Sequence, residues 1–261
     1  MNAFAKLVKP YIVWITLFIV IPLCMIVLYA FTKDGRLLSF SFTIDNFLRF
    51  FKDDIFPSVL WKSLVISFNT TIICIILGYA IAYGIAKMKS HQQAMIILLI
   101  TLPMWINMLV RTYAWRGILS NTSFSPALKV YIGMVYNFLP FMILQIHGAL
   151  SKMDNSLIQA SYDLGANKLQ TFLHVVLPLS MPGVLSGITL VFLPAVSSFF
   201  IPKLLGGGSF VLVGNLIENY FINTNDWNFG SAISLIMAVV VLVSMAITKK
   251  MDTKVSEGED D

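Results

Sequence analysis

Apolar residues along this chain gather into six long runs separated by polar segments. The runs cover approximately residues 11–31, 63–86, 94–109, 130–150, 183–204 and 229–248, and Lys203 is the only Asp, Glu, Lys or Arg within them. A membrane-crossing helix needs about 20 mostly apolar residues, so the pattern predicts an all-α polytopic membrane protein with six transmembrane helices. Lys6 and Lys9 ahead of the first run are compatible with a signal peptide. That run is long for the apolar part of one, and no small-x-small cleavage site follows, so it is expected to stay as a helix. Pro103, Pro140 and Pro194 fall inside runs and predict bends, which membrane helices tolerate where neighbours satisfy the freed carbonyl. The acidic end, Glu257 to Asp261, reads as a solvated tail.

Composition strengthens this picture and removes others. Hydrophobic residues make up 57% and charged residues 12%, about half the charged share of a globular domain, and the mean hydropathy is +0.81. The net charge of +5 is spread through loops with no run suited to nucleic acid. Cys24 and Cys74 both lie in apolar runs, which favours buried thiols over a disulfide. His91, His147 and His174 are scattered, no metal-ligand spacing occurs, and no Gly-x-x-x-x-Gly-Lys-Ser/Thr phosphate loop is present. No cofactor, metal or catalytic residue is therefore expected. Of 18 Lys and Arg residues, nine fall with the termini and the loops at 87–93 and 151–182, and nine in the other loops. Lysines flank both termini closely, so the positive-inside rule leans weakly toward cytoplasmic termini.

The polar segment from Asp154 to Pro178 carries the most specific signal. Ser156 and Gln159 have the spacing of a capping box at the start of a helix. Leu157, Ser161 and Leu164 recur on one face, and Gly165 suits a helix C-cap. A second helix over 167–176 would present Leu169, Phe172, Leu173 and Val176 together and stop at Pro178. Ala160 and Ser161 are small enough for another backbone to come close. An interfacial hairpin lying on lipid headgroups is the plainer alternative, but the small polar cluster at Ala160, Ser161 and Gly165 buries little apolar area.

Gln159-Ala160-Ser161, Gly165 and then Val175-Val176-Leu177-Pro178 resemble the Glu-Ala-Ala-x-x-x-Gly loop and downstream Ile-x-Leu-Pro of type-1 ABC importer permeases. Gln159 stands where the family has Glu, so it offers neutral hydrogen bonds, and Asp163 on nearly the same face is a candidate for the missing charge. The resemblance covers nearly the whole chain. The runs 163–172 and 177–183, together with Leu193-Pro194-Ala195, Gly206-Gly207, 213–217 and 42–47, are similar to the B-type permease of bacterial spermidine/putrescine importers.

That resemblance implies the MetI-like type-1 ABC importer permease fold in a bacterial inner membrane, with both termini cytoplasmic. Residues 1–62 would hold the tail, first helix and extracytoplasmic loop, 63–248 the transmembrane domain with a cytoplasmic coupling loop at 151–182, and 249–261 a cytoplasmic tail. It implies polyamine import by alternating access, with no enzymatic activity in this chain. The implied partners are a C-type permease, two copies of a cytoplasmic ATPase, an extracytoplasmic polyamine-binding protein and membrane lipid. The loop residues implied to meet the ATPase are Gln159, Ala160, Ser161, Asp163, Leu164, Gly165 and Ala166.

Since the runs hold no acid, a polycation would have to pass neutral polar groups and ring faces. Trp105, Asn107 and Tyr113 near the third run, Ser197, Ser198 and Phe199 in the fifth, and Glu218 in the loop before the sixth are the candidates. Arg111 and Lys203 would repel a cation and are expected to reach headgroups or loop carboxylates. An ABC permease for another small solute fits the same pattern. An ion-coupled secondary carrier fits less well, because such carriers hold an ionisable residue within the membrane.

Overall fold

The computed structural model describes residues 2–33, 41–208 and 210–257. Arg36 and the acidic end beyond Glu257 lie outside the described residues. Among the described residues the ordered structure is helical, apart from an isolated antiparallel bridge between Thr32 and Phe42. Water is absent from a bilayer core, so a spanning backbone has to satisfy its own hydrogen bonds, and a helix does so within one segment.

The chain divides into two compact units, Met1–Leu60 with Val213–Val240, and Trp61–Leu212 with Val241–Asp261. The helices of the first half are α1 (Asn2–Ile15), α2 (Ile21–Ala30), α3 (Asp45–Lys52), α4 (Ile55–Ala86), α5 (Ser90–Thr101), α6 (Met108–Ser120) and α7 (Pro126–Lys152). Those of the second half are α8 (Asn155–Asp163), α9 (Lys168–Thr171), α10 (Leu177–Val196), α11 (Phe200–Leu205), α12 (Val213–Ile222) and α13 (Trp227–Glu257). Among the described residues five helical stretches are long and apolar enough to cross a membrane, and a sixth follows if the bent pair α5–α6 counts as one span.

In the first unit, α1 and α2 join through a π-type turn over Thr16–Val20. The span they make is exposed along its length, with Ala30 buried at its end. That end is capped from two sides. The Asn46 amide donates to Ala30 O at 2.9 Å and the Asn228 amide to Tyr29 O at 2.9 Å and Thr32 O at 2.7 Å, satisfying carbonyls that a helix end leaves unpaired. Arg49 of α3 pairs with Asp226 at 2.8 Å and sits 4.1 Å from the centre of the Phe229 ring. Phe50, Phe56 and Phe229 make the buried aromatic centre of this unit.

The second unit is built around α7. Its buried face, Val130, Met134, Met142 and Ile146, packs with Cys74 and Ala82 of α4, Val191 and Ala195 of α10, and Ile201 of α11. Without a hydrophobic force between helices in lipid, close packing of small residues holds them. A Cβ at Gly78 would lie 2.8 Å from Met142 Cγ, and one at Gly187 2.5 Å from Met142 Sδ, so one side chain of α7 fills gaps in both α4 and α10. Polar side chains add links, such as the Asn69 amide donating to the Tyr131 hydroxyl at 3.1 Å.

Two expected spans come out differently. The third run does not continue to Leu109: α5 ends in a 3-10 turn over Leu102–Trp105, and the chain bends by 92° into α6. Pro103 cannot donate in that turn, and Asn107 Oδ1 accepts from Leu109 N at 2.8 Å to start a new helix. The fifth run breaks after Val196, and α11 is a separate short helix beyond Ser197–Phe199. Nor does Pro178 stop a helix. A π-type turn over Phe172–Val176 carries the helix through from α9 into α10, so the proline is accommodated inside a continuous helical span.

At Gly183 the backbone of α10 comes close to that of α7. A Cβ there would sit 2.5 Å from Ala149 Cβ and 2.7 Å from Gln145 O, while one at Gly148 meets nothing within 4 Å. Gly183→Ala should lower stability by about 1–3 kcal/mol through overpacking. Gly148→Ala should be within about 0.5 kcal/mol of neutral. Thermal unfolding of the purified variants in detergent checks both, and equal behaviour would dismiss the close approach as a constraint.

Candidate coupling loop and substrate path

The loop between α7 and α10 is shaped by its own caps. Asp154, not Ser156, is the N-cap of α8, and its Oδ1 accepts from Ser156 N at 2.8 Å. The expected Ser156–Gln159 box gives way because the cap lies two residues earlier, at Asp154, and the helix begins at Asn155. Hydrogen bonds from the Ser156 backbone and then its side chain hold the Asp154 carboxyl below the usual carboxylate range. The cap is therefore in force above that range and is lost as the pH falls through the lowered value.

At the other end Gly165 has a φ of +86°. Ala166 N donates to Ser161 O at 3.1 Å and Gly165 N to Tyr162 O at 2.9 Å, the pair of bonds that makes a Schellman cap. A capping box then starts α9: Asn167 Oδ1 accepts from Gln170 N, and Gln170 Oε1 accepts from Asn167 N at 2.8 Å. The two halves join through the buried hydroxyls of Ser161 and Thr171, 2.9 Å apart. Ser161 Oγ already donates to Ile158 O at 2.8 Å, so Thr171 is the donor in that pair.

The expected contact residues separate into two sets. Gln159, Ala160, Asp163, Leu164 and Gly165 are exposed on one surface of the loop, and Ala166 is half-buried. Leu164 is 89% exposed. Ser161 faces inward, so it is an internal strut and not a gap for another backbone. The supposed apolar stripe on α8 is likewise absent, because Leu157 and Leu164 are both exposed while Ser161 is buried. In the second half the π-type turn divides the expected face: Val176 is buried, Phe172 half-buried, and Leu169 and Leu173 exposed. A cleft of about 380 Å³ runs beside the exposed surface, lined by Leu164, Gly165, Gln170 and His174 among others.

The candidate path residues fall at the helix breaks. Trp105 is 80% exposed and Tyr113 56% exposed, on either side of the bend capped by Asn107. Ser197 and Phe199 flank the buried Ser198 at the second break, and Ser198 Oγ has no hydrogen-bond partner among the described residues. The short helix after the second break, α11, packs on α6. Glu218 lies half-buried on α12, in the first unit. Arg111 departs from expectation. Its Nε and Nη1 are buried without hydrogen-bond partners among the described residues, so no loop carboxylate pairs with them, and its guanidinium is 5.9 Å from the Tyr136 ring centre. Nothing in the local sequence signalled the π-type turn or the hydroxyl pair, which join residues separated by a loop.

Residues 3–257 match the family of the binding-protein-dependent transport system inner membrane component. The chain is 37% identical to a spermidine/putrescine transport system permease protein PotB of Haemophilus influenzae, over 97% of each chain. It is 34% identical to that of Escherichia coli, over 93% of this chain and 96% of the other. Among solved structures, a bacterial ABC transporter involved in the import of the acidic polysaccharide alginate superposes with a TM-score of 0.79 at 15% identity, covering 97% of this chain and 95% of that one. The MetNI methionine ABC transporter gives 0.60 at 16% identity, covering 76% of this chain and 95% of that one. Matched along nearly its whole length, the chain belongs to the family of inner membrane components of binding-protein-dependent transport systems.

Proposed function

We propose that this chain is a permease subunit of an ATP-driven importer that moves spermidine and putrescine into the cytoplasm by alternating access. The observation that carries the reading is the likeness, over nearly the full length of both proteins, to spermidine/putrescine permeases of two organisms. The exposed surface of α8, held rigid by caps at both ends, supports a contact with a separate cytoplasmic ATPase present in two copies. A C-type permease completes the membrane part, and an extracytoplasmic polyamine-binding protein delivers the substrate. Both termini and the 151–182 loop then face the cytoplasm.

The cargo is a flexible polycation, and this chain offers it no carboxylate within the six apolar runs. Attraction falls to groups at the helix breaks, with exposed Trp105 and Tyr113 and half-buried Phe199 as rings, and exposed Asn107 and Ser197 and buried Ser198 as neutral polar groups. Each ring contact with an ammonium is worth about 0.5–2 kcal/mol, depending on desolvation. Glu218 is the acid that greets the substrate.

In proteoliposomes holding the assembled complex, polyamine uptake should require ATP on the ATPase side. Uptake that follows an imposed ion gradient without ATP would refute the reading. Trp105→Ala should reduce uptake, whereas Trp14→Ala in the exposed first span should not; equal effects would remove Trp105 from the path.

Topology is checked with single cysteines at Ser156 and Ile44 in a background lacking Cys24 and Cys74. An impermeant thiol reagent added outside intact cells should label position 44 and spare 156, and the opposite result would invert the orientation.

Gly165→Val should separate hydrolysis from uptake. A β-branched residue strains the left-handed backbone by about 1–2 kcal/mol, and a Cβ there meets nothing within 4 Å, so the strain and not a clash is responsible. Gly165→Asn should recover most of the activity. Normal uptake by an assembled Gly165→Val complex would exclude this glycine from coupling.

A further inference from the structure

The second half of the loop is anchored to α4 by contacts that neither its exposed surface nor the substrate path requires. Phe172 stands at the turn from α9 into α10. Its ring meets Tyr79 edge-on, with centroids 5.6 Å apart and planes at 90°, and Tyr83 at 5.2 Å and 68°. Tyr79 and Tyr83 are four residues apart on α4 and so share a face. Their rings, with centroids 6.5 Å apart, form a notch that receives Phe172. Lys87 Nζ lies 3.9 Å from the centre of the Tyr83 ring and braces it.

A hydrogen bond fixes the same junction. The Tyr79 hydroxyl is 2.7 Å from Ser180 Oγ. Ser180 is fully buried and its hydroxyl donates to Leu177 O at 3.0 Å, so Tyr79 is the donor. A continuous line of contacts therefore runs from α8 through Ser161 and Thr171 to Phe172, and from there into the inner end of α4.

We propose that Phe172 and Tyr79 are positioning residues that key the loop to α4, so that a displacement of α8 is delivered to α4 as well as to α10. The proposal rests on the coupling-loop reading above. It makes α4 and the base of α10 move as one body with the loop. Edge-to-face is a preferred arrangement of aromatic rings, and the Tyr79–Ser180 bond ties α4 to α10 at the same junction.

The test uses the assembled complex in lipid nanodiscs, with Cys24 and Cys74 replaced and spin labels at Gly84 and Ser156. A side chain at Gly84 enters open space, and Ser156 is exposed. The interlabel distance should stay single and unchanged between the nucleotide-free and ATP-trapped states. In Phe172→Ala it should broaden and become nucleotide-dependent. Uptake per ATP hydrolysed should fall about tenfold in that variant, the shift expected when two ring contacts leave a two-state equilibrium. Phe172→Tyr should restore both readouts. Tyr79→Phe, which keeps the ring and is the milder change, should lower uptake per ATP about threefold by losing one hydrogen bond.

A Gly84–Ser156 distance that changes with nucleotide in the otherwise unaltered chain would overturn the key. So would a Phe172→Ala complex with unchanged distances and unchanged uptake per ATP. Absence of ATP-driven uptake by the unaltered complex would instead count against the importer reading itself.

Discussion

Met142 projects from α7 into gaps that Gly78 leaves in α4 and Gly187 leaves in α10. Lipid supplies no hydrophobic force between spans, so contact of this kind, side chain into backbone gap, is what holds three helices in register. The other features of this unit depend on it. Gly183 brings α10 against Ala149 and Gln145 one turn nearer the loop, and Tyr79 and Ser180 meet because α4 and α10 already share α7 as a neighbour. A bulkier residue at either glycine would separate the spans and open the junction on which the loop is mounted.

The loop combines internal rigidity with a bare outer surface. Its polar groups are spent on caps: Asp154 at the start of α8, the left-handed Gly165 at its end, and Asn167 with Gln170 at the start of α9. The Ser161–Thr171 hydroxyl pair closes the structure from within. Gln159, Asp163 and Leu164 remain outside with no internal task, which suits a surface whose partner is another protein.

The described spans are interrupted at two places, and irregular backbone at membrane depth is tolerated where it is buried in protein or lines a cavity. Pro103 and the Asn107 cap produce the first break, and Ser197–Phe199 the second. Half-buried Arg111, near the first break, lies 5.9 Å from the centre of the Tyr136 ring.

Much was decided by local chemistry and could be read in advance. Runs of apolar residues long enough to cross a bilayer force helices whatever their neighbours, so the all-helical class and the approximate spans followed from composition and length. Gly165 was legible because a helix that ends there needs a positive φ, and the loop motif was legible because its residues are close in the chain. Pro103 and Pro194 announced bends in the third and fifth runs, but that the chain would turn by 92° in the third, break after Val196 and carry a helix through Pro178 was not legible. Apolar runs look alike whether straight or broken. The inward turn of Ser161, the seat of Phe172 between Tyr79 and Tyr83, and the wedge of Met142 were decided by tertiary structure alone. They join residues from different helices, and the sequence carries no record of which faces will meet once the spans pack.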